Sequence, residues 1–128
     1  MNIVFGIAIG IGAALGAIAR WLLSLGLNRM FPSLPMGTLA ANLIGALLMG
    51  IAMAVFVHYE SIPLVWRLAL TTGFLGGLTT FSSFSAETVL LMERGEWLAT
   101  STIIGSHVIG SLALTLIGYA FTHWLLRS

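Results

Sequence analysis

Within the run Gly73-Phe74-Leu75-Gly76-Gly77-Leu78-Thr79-Thr80-Phe81-Ser82-Ser83-Phe84-Ser85-Ala86-Glu87, glycines give way to hydroxyls, two phenylalanines and a carboxylic acid. The surrounding sequence is apolar, so these side chains would sit at membrane depth. Polar groups are tolerated there only inside protein or against a water-filled cavity. At helical spacing Phe81 and Phe84 share a face, as do Ser82 and Ser85, while Thr80, Ser83 or Phe84, and Glu87 follow on a neighbouring strip. Phenylalanine ring edges carry partial positive charge, so an edge-on pair bordered by hydroxyls can contact a small anion without trapping it as arginine would. Packing alone is the plainer reading of an aromatic pair, but it does not account for the interleaved hydroxyls.

Two other segments carry polar residues into apolar surroundings. Asn42 follows Thr38 by one turn, and reads either as interhelical hydrogen-bond glue or as an amide N–H donor aimed at a passing anion. His107, Ser111 and Thr115 recur every fourth residue and form one stripe. Serine and threonine can bond to the carbonyl four residues back, so each is cheap to bury. Their alignment nonetheless favours a lined path, with His107 facing a vestibule as the simpler alternative. Glu87 is the only acid well inside an apolar segment. It reads as a residue near an aqueous vestibule or as a proton-coupling carboxylate. Arg20 is placed to face a vestibule or to reach the headgroups. Gly73, Gly76 and Gly77 predict either a helix break, whose free carbonyls can hold a cation, or close packing of small residues.

The elements that must carry these residues are set by composition. Of the 128 residues 59% are hydrophobic and 7% charged, and the mean hydropathy is +1.06. Soluble domains carry about 25% charged residues, so the chain is an integral membrane protein. The basic residues are all arginine, the acids are all glutamate, and cysteine is absent, which removes disulfides and thiolate metal sites. A net charge of +1 without clustered basic residues excludes a nucleic-acid footprint. The first residues lack a basic region and a small-residue cleavage site, and read as transmembrane helix rather than signal peptide.

A span requires about 20 apolar residues, and four such segments are present, at 3–27, 37–57, 64–92 and 97–126. These predict an all-α, single-domain membrane protein, whose third helix is broken near its centre if the glycines there free the backbone rather than pack closely. Trp21, Trp66, Trp97 and Trp124 lie near span ends, as interfacial aromatics do. Outside the spans the arginines divide almost evenly between the two sides. A near-zero positive-inside bias favours insertion both ways up, and hence an antiparallel dual-topology homodimer, over one orientation set by a small local bias. Four helices also leave little room for a conduit, so the polar faces need a partner surface. Small residues four apart predict close helix contacts at Gly6 with Gly10, Gly12 with Gly16, Gly37 with Ala41 and Gly45, and Ser106 with Gly110.

The third-span run, together with Gly37-Thr38-Leu39-Ala40-Ala41-Asn42-Leu43-Ile44-Gly45, resembles the Fluc family of fluoride channels, also called CrcB. The resemblance covers the whole chain, including Arg20, Gly110-Ser111 and Thr115; Ser83 stands where a threonine is common. It implies a passive, selective fluoride channel with two pores in an antiparallel homodimer of the bacterial cytoplasmic (inner) membrane. It further implies a pore of Phe81, Phe84, Asn42, Ser111 and Thr115, and a polar track of Thr38, Ser82, Ser83 and Ser85. Arg20 and Glu87 would stand near the vestibules. One structural sodium ion would be held by the Gly76 and Thr79 backbone carbonyls of both subunits. A small proton-coupled multidrug exporter is the main rival, but it needs an acid in the first span, and 3–27 contains none. A non-conducting assembly subunit would explain the glycine faces but not the aromatic-hydroxyl run.

Overall fold

A computed structural model describes residues 2–128. Helix α1 spans Ile3–Met30 and α2 spans Met36–His58. Helix α3 covers residues 64–78, with Ala69–Leu75 wound as a π-helix. Helices α4 and α5 follow at Phe81–Glu93 and Trp97–Arg127. Helices are the only regular elements among the described residues. Helices α1, α2 and α5 are each long and apolar enough to cross a membrane. At about 1.5 Å per residue, α3 and α4 are each roughly 20 Å long, so only together do they match a hydrocarbon core of about 30 Å. The segment expected to be the third span is thus two half-helices.

The break falls two residues beyond the glycines expected to make it. Gly73, Gly76 and Gly77 are helical, whereas Thr79 and Thr80 are extended, with ψ of 153° and 120°. The threonines close one helix and start the next. Thr79 donates both its N–H (3.0 Å) and its hydroxyl (2.8 Å) to the Leu75 carbonyl. Thr80 Oγ1 accepts from Ser83 N–H at 3.2 Å, an N-cap for α4.

Two of the three glycines serve close packing instead. A Cβ on Gly73 would strike the Ile9 carbonyl, and one on Gly77 the Ala13 carbonyl. From the other side, Gly12 abuts the Ala69 carbonyl and Gly16 the Phe74 carbonyl. Helices α1 and α3 therefore meet backbone to backbone, where van der Waals contact substitutes for a hydrophobic drive that lipid cannot supply. Helices α2 and α5 pair in the same way, through Gly50 against Thr115 and Gly118 against Leu47. Gly37 meets Ser24, Gly45 meets Thr79, and Gly110 meets Leu43. Gly6 and Gly10 face open space, so that pair makes no close contact within the chain, contrary to the spacing argument.

The buried centre is small. Ala41, Leu75 and Leu78 form one cluster, and Phe84, Leu91 and Ile103 form another between α4 and α5. Outward surfaces are covered by large apolar side chains such as Ile7, Leu112 and Ile109, with all four tryptophans more than half exposed. Such a surface suits lipid. Two loops carry their own locks. Arg67 donates to the carbonyls of Tyr59, Glu60 and Ile62, closing the turn between α2 and α3. Gly95, at φ 71°, ends α4 in a Schellman turn in which Glu96 N–H reaches the Leu91 carbonyl.

Candidate functional site

At the break, α2, α3, α4 and α5 surround an open groove of about 350 Å³. Asn42, Phe81, Phe84, Ser111 and Thr115 all line it, together with Thr79, Thr80 and His107. No charged side chain contributes to its wall. The His107–Ser111–Thr115 stripe predicted from spacing runs along one side. His107, however, is only 5% exposed, so it sits inside the bundle rather than in a vestibule.

The aromatic pair is arranged edge to face, with ring centroids 5.4 Å apart and planes at 65°. Phe84 is buried and stacks at a tilt on His107, centroid to centroid 4.4 Å. Phe81 is 78% exposed. The two rings therefore differ in support: packing fixes Phe84, while Phe81 projects from the first turn of α4.

Asn42 sits between the half-helices. Its Oδ1 accepts Thr80 N–H at 2.7 Å, and its Nδ2 donates to the Thr80 carbonyl at 3.0 Å. The second Nδ2 hydrogen faces His107 Nδ1, also at 3.0 Å. Within the single chain the amide is thus glue for the break, with one N–H turned toward the histidine. Thr115 donates to the Ala46 carbonyl at 3.0 Å.

The remaining candidates lie outside the groove. Thr38 donates to Glu87 Oε1 at 2.5 Å. Glu87 also borders a separate recess with Asn28, Ser33 and Arg94 near the ends of α1 and α4. Thr80 Oγ1 lies 3.2 Å from both Ser82 Oγ and Ser83 Oγ, joining these hydroxyls to the break. Ser85 is half-buried on the same helix. Arg20 donates from Nε to the Gly77 carbonyl at 3.1 Å, which ties α1 to the end of α3.

No group of three or more His, Cys, Asp or Glu side chains able to hold a metal occurs among the described residues. The backbone offers an alternative. Thr80 N–H is turned to Asn42, and no hydrogen bond across the break reaches the Gly76 or Thr79 carbonyl. Gly76 is exposed, and a Cβ there would meet only Thr71 O at 3.6 Å. Free carbonyls of this kind suit a hard monovalent cation. Carbonyl oxygens are compatible with sodium as with other hard cations.

The contacts not readable from spacing include Asn42 with His107 and Arg20 with Gly77. Both join residues far apart in sequence, and only the helix pairing brings them together.

Comparison with known proteins agrees with this geometry. The family model described as CrcB-like protein, Camphor Resistance (CrcB), matches residues 7–119. A fluoride-specific ion channel FluC of Tolumonas auensis is 52% identical over 122 residues, spanning 95% of this chain and 96% of the relative. The FluC of Chromobacterium violaceum is 52% identical over 121 residues, with 94% and 96% covered. That of Nitrosospira multiformis is 55% identical over 118 residues, with 92% of each chain covered. A match of this extent, over all the segments that build the groove, places the chain in the CrcB family.

Proposed function

We propose that this chain forms a passive, fluoride-selective channel that expels cytoplasmic fluoride across the bacterial inner membrane. The observation that carries the proposal is the uncharged groove in which the Phe81 and Phe84 rings lie beside the Asn42 amide and the Ser111 and Thr115 hydroxyls. Similarity to proteins named fluoride-specific ion channels supplies the identity of the ion. Fluoride is small and tightly hydrated, so a pore must replace its water with close donors yet still let it leave. Ring edges, an amide and hydroxyls meet both demands, whereas a guanidinium would hold the ion too firmly. Thr38, Ser82, Ser83 and Ser85 continue the polar track, with Glu87 and Arg20 toward its ends. Hydrofluoric acid enters cells from acid surroundings and dissociates inside; the membrane potential then drives the anion out through a passive pore.

The proposed assembly is an antiparallel homodimer with dual topology. The groove is open on one side, and Phe81 at its edge is 78% exposed, so a second copy completes the wall. The even distribution of arginines supports insertion in both orientations. In this dimer the Gly76 and Thr79 carbonyls of the two subunits would hold one sodium ion on the twofold axis, fixing the broken helices against each other. Lipid covers the remaining apolar faces.

The exporter alternative gains nothing from the groove, which contains no carboxylate, and the relatives are named as channels. The test is flux from liposomes containing purified protein. Fluoride should leave rapidly and chloride hardly at all, with no need for a proton gradient. Fluoride efflux that stops when the proton gradient is collapsed would reject the channel.

A further inference from the structure

His107 stands where the preceding reading gives it no task. It is 5% exposed, and its Nε2 is buried without a hydrogen-bond partner. Its Nδ1 lies 3.0 Å from Asn42 Nδ2. The chemistry of that contact follows stepwise from Thr80. A backbone N–H can only donate, so the Asn42 atom 2.7 Å from it must be the oxygen. The other terminus is therefore the NH2 group, which donates to the Thr80 carbonyl and to His107. His107 Nδ1 must accept, so the ring is neutral and carries its proton on Nε2.

We infer that His107 is a positioning residue of the conduction path: its neutral imidazole is the acceptor to which Asn42 returns an amide N–H whenever an anion leaves. This inference rests on the channel reading above. When fluoride occupies the groove, the ion and His107 Nδ1 compete for the same hydrogen. Exchanging one acceptor for another keeps the binding shallow, which conduction requires. Once protonated, His107 would present N–H to N–H. It would no longer compete, and an anion would be held between two donors and a positive charge.

Other titratable groups do not intervene. From α2 the facing residue is Asn42, and Thr38 one turn away is engaged with Glu87. From α4 it is Phe84, and Glu87, the nearest acid on that helix, is turned to Thr38. Helix α3 has no titratable residue beyond Arg67, which binds the preceding loop. Arg20 of α1 is directed to Gly77. On α5 itself, no other titratable side chain lies between Trp97 and Tyr119.

The experiment compares fluoride efflux from liposomes at a series of pH values for the unaltered protein, His107→Asn and His107→Leu, with leak from protein-free liposomes subtracted. Asparagine places an acceptor near the Nδ1 position but does not titrate. Wild-type flux should fall severalfold as the pH is lowered far enough for the imidazole to take a proton. His107→Leu should be slow at every pH and saturate at lower fluoride, while His107→Asn should recover much of the flux with a flat pH profile. Identical pH profiles for wild type and His107→Asn would overturn the inference. Because absence of fluoride flux in all three would instead reject the channel itself, nitrogen NMR of the imidazole provides a second readout. It should show Nδ1 bare and Nε2 protonated at neutral pH. A proton on Nδ1 would overturn the inference whatever the flux.

Discussion

The side-chain amide of Asn42 meets the backbone of Thr80 much as one strand meets another. Its Oδ1 accepts the N–H at 2.7 Å and its Nδ2 donates to the carbonyl at 3.0 Å. Thr80 is the N-cap of α4 and extended, with φ −151° and ψ 120°, so its N–H has no helical partner. A broken helix in a membrane requires such compensation, because lipid offers no hydrogen bonds.

Asn42→Ala should therefore destabilise the protein as well as silence it. Leaving the half-buried Thr80 N–H without its partner costs up to about 1–3 kcal/mol. Asn42→Asp keeps the acceptor for Thr80 N–H but loses both donated bonds, and should also lose flux. Thermal unfolding in detergent, followed by fluorescence, measures the first effect. An unchanged melting temperature for Asn42→Ala would reject the clamp.

The glycines divide into two classes that mutation should separate. Gly16→Ala and Gly77→Ala place a methyl against the backbone of the opposing helix, at Phe74 and Ala13 respectively. Overpacking of this kind costs about 1–3 kcal/mol and should lower the yield of folded protein. Gly6→Ala and Gly10→Ala enter open space and should be neutral or slightly stabilising. Equal losses in both pairs would mean that Gly6 and Gly10 contact a second copy instead.

Phe81→Ile and Phe84→Ile should each reduce fluoride flux sharply while leaving the proposed dimer assembled. Their stability effects should differ, since Phe81 is 78% exposed and Phe84 only 8%. Replacing Phe84 should cost less than the about 3–5 kcal/mol of an alanine truncation, because isoleucine keeps much of the volume. Unchanged flux in both variants would remove the aromatic pair from the path.

Much of this arrangement was legible in the sequence because it is local. Four apolar runs marked the helical segments to within a few residues, and helical spacing placed His107, Ser111 and Thr115 on one face. The position of the break was not legible to the residue. Glycine signals backbone freedom, but Gly73 and Gly77 use the missing side chain for contact with α1, and the breaking is done by Thr79, which donates back to Leu75, and Thr80, which caps α4. Nor was the Asn42–His107 pair, since spacing along one helix carries no information about which face of another helix it meets. Arg20 illustrates the same limit: its position within a span was clear, but its bond to Gly77 depends on how α1 crosses α3.

The Thr38–Glu87 contact provides the sharpest test between channel and coupled transporter. Thr38 Oγ1 donates to Glu87 Oε1 at 2.5 Å, and Oε2 is buried without a partner. A carboxylate that carries protons must be able to gain and lose one, so Glu87→Gln would abolish coupled transport. If Glu87 serves as an acceptor that orients Thr38, glutamine retains the carbonyl oxygen and the bond survives. Glu87→Gln should then reduce flux less than Phe81→Ile does, and the residual flux should be indifferent to a protonophore. Thr38→Val, which removes the donor and leaves both carboxylate oxygens unsatisfied, should be the more damaging of the two changes at this contact. Fluoride efflux measured with and without the protonophore distinguishes the outcomes, and complete loss in Glu87→Gln would restore the carboxylate-coupled mechanism.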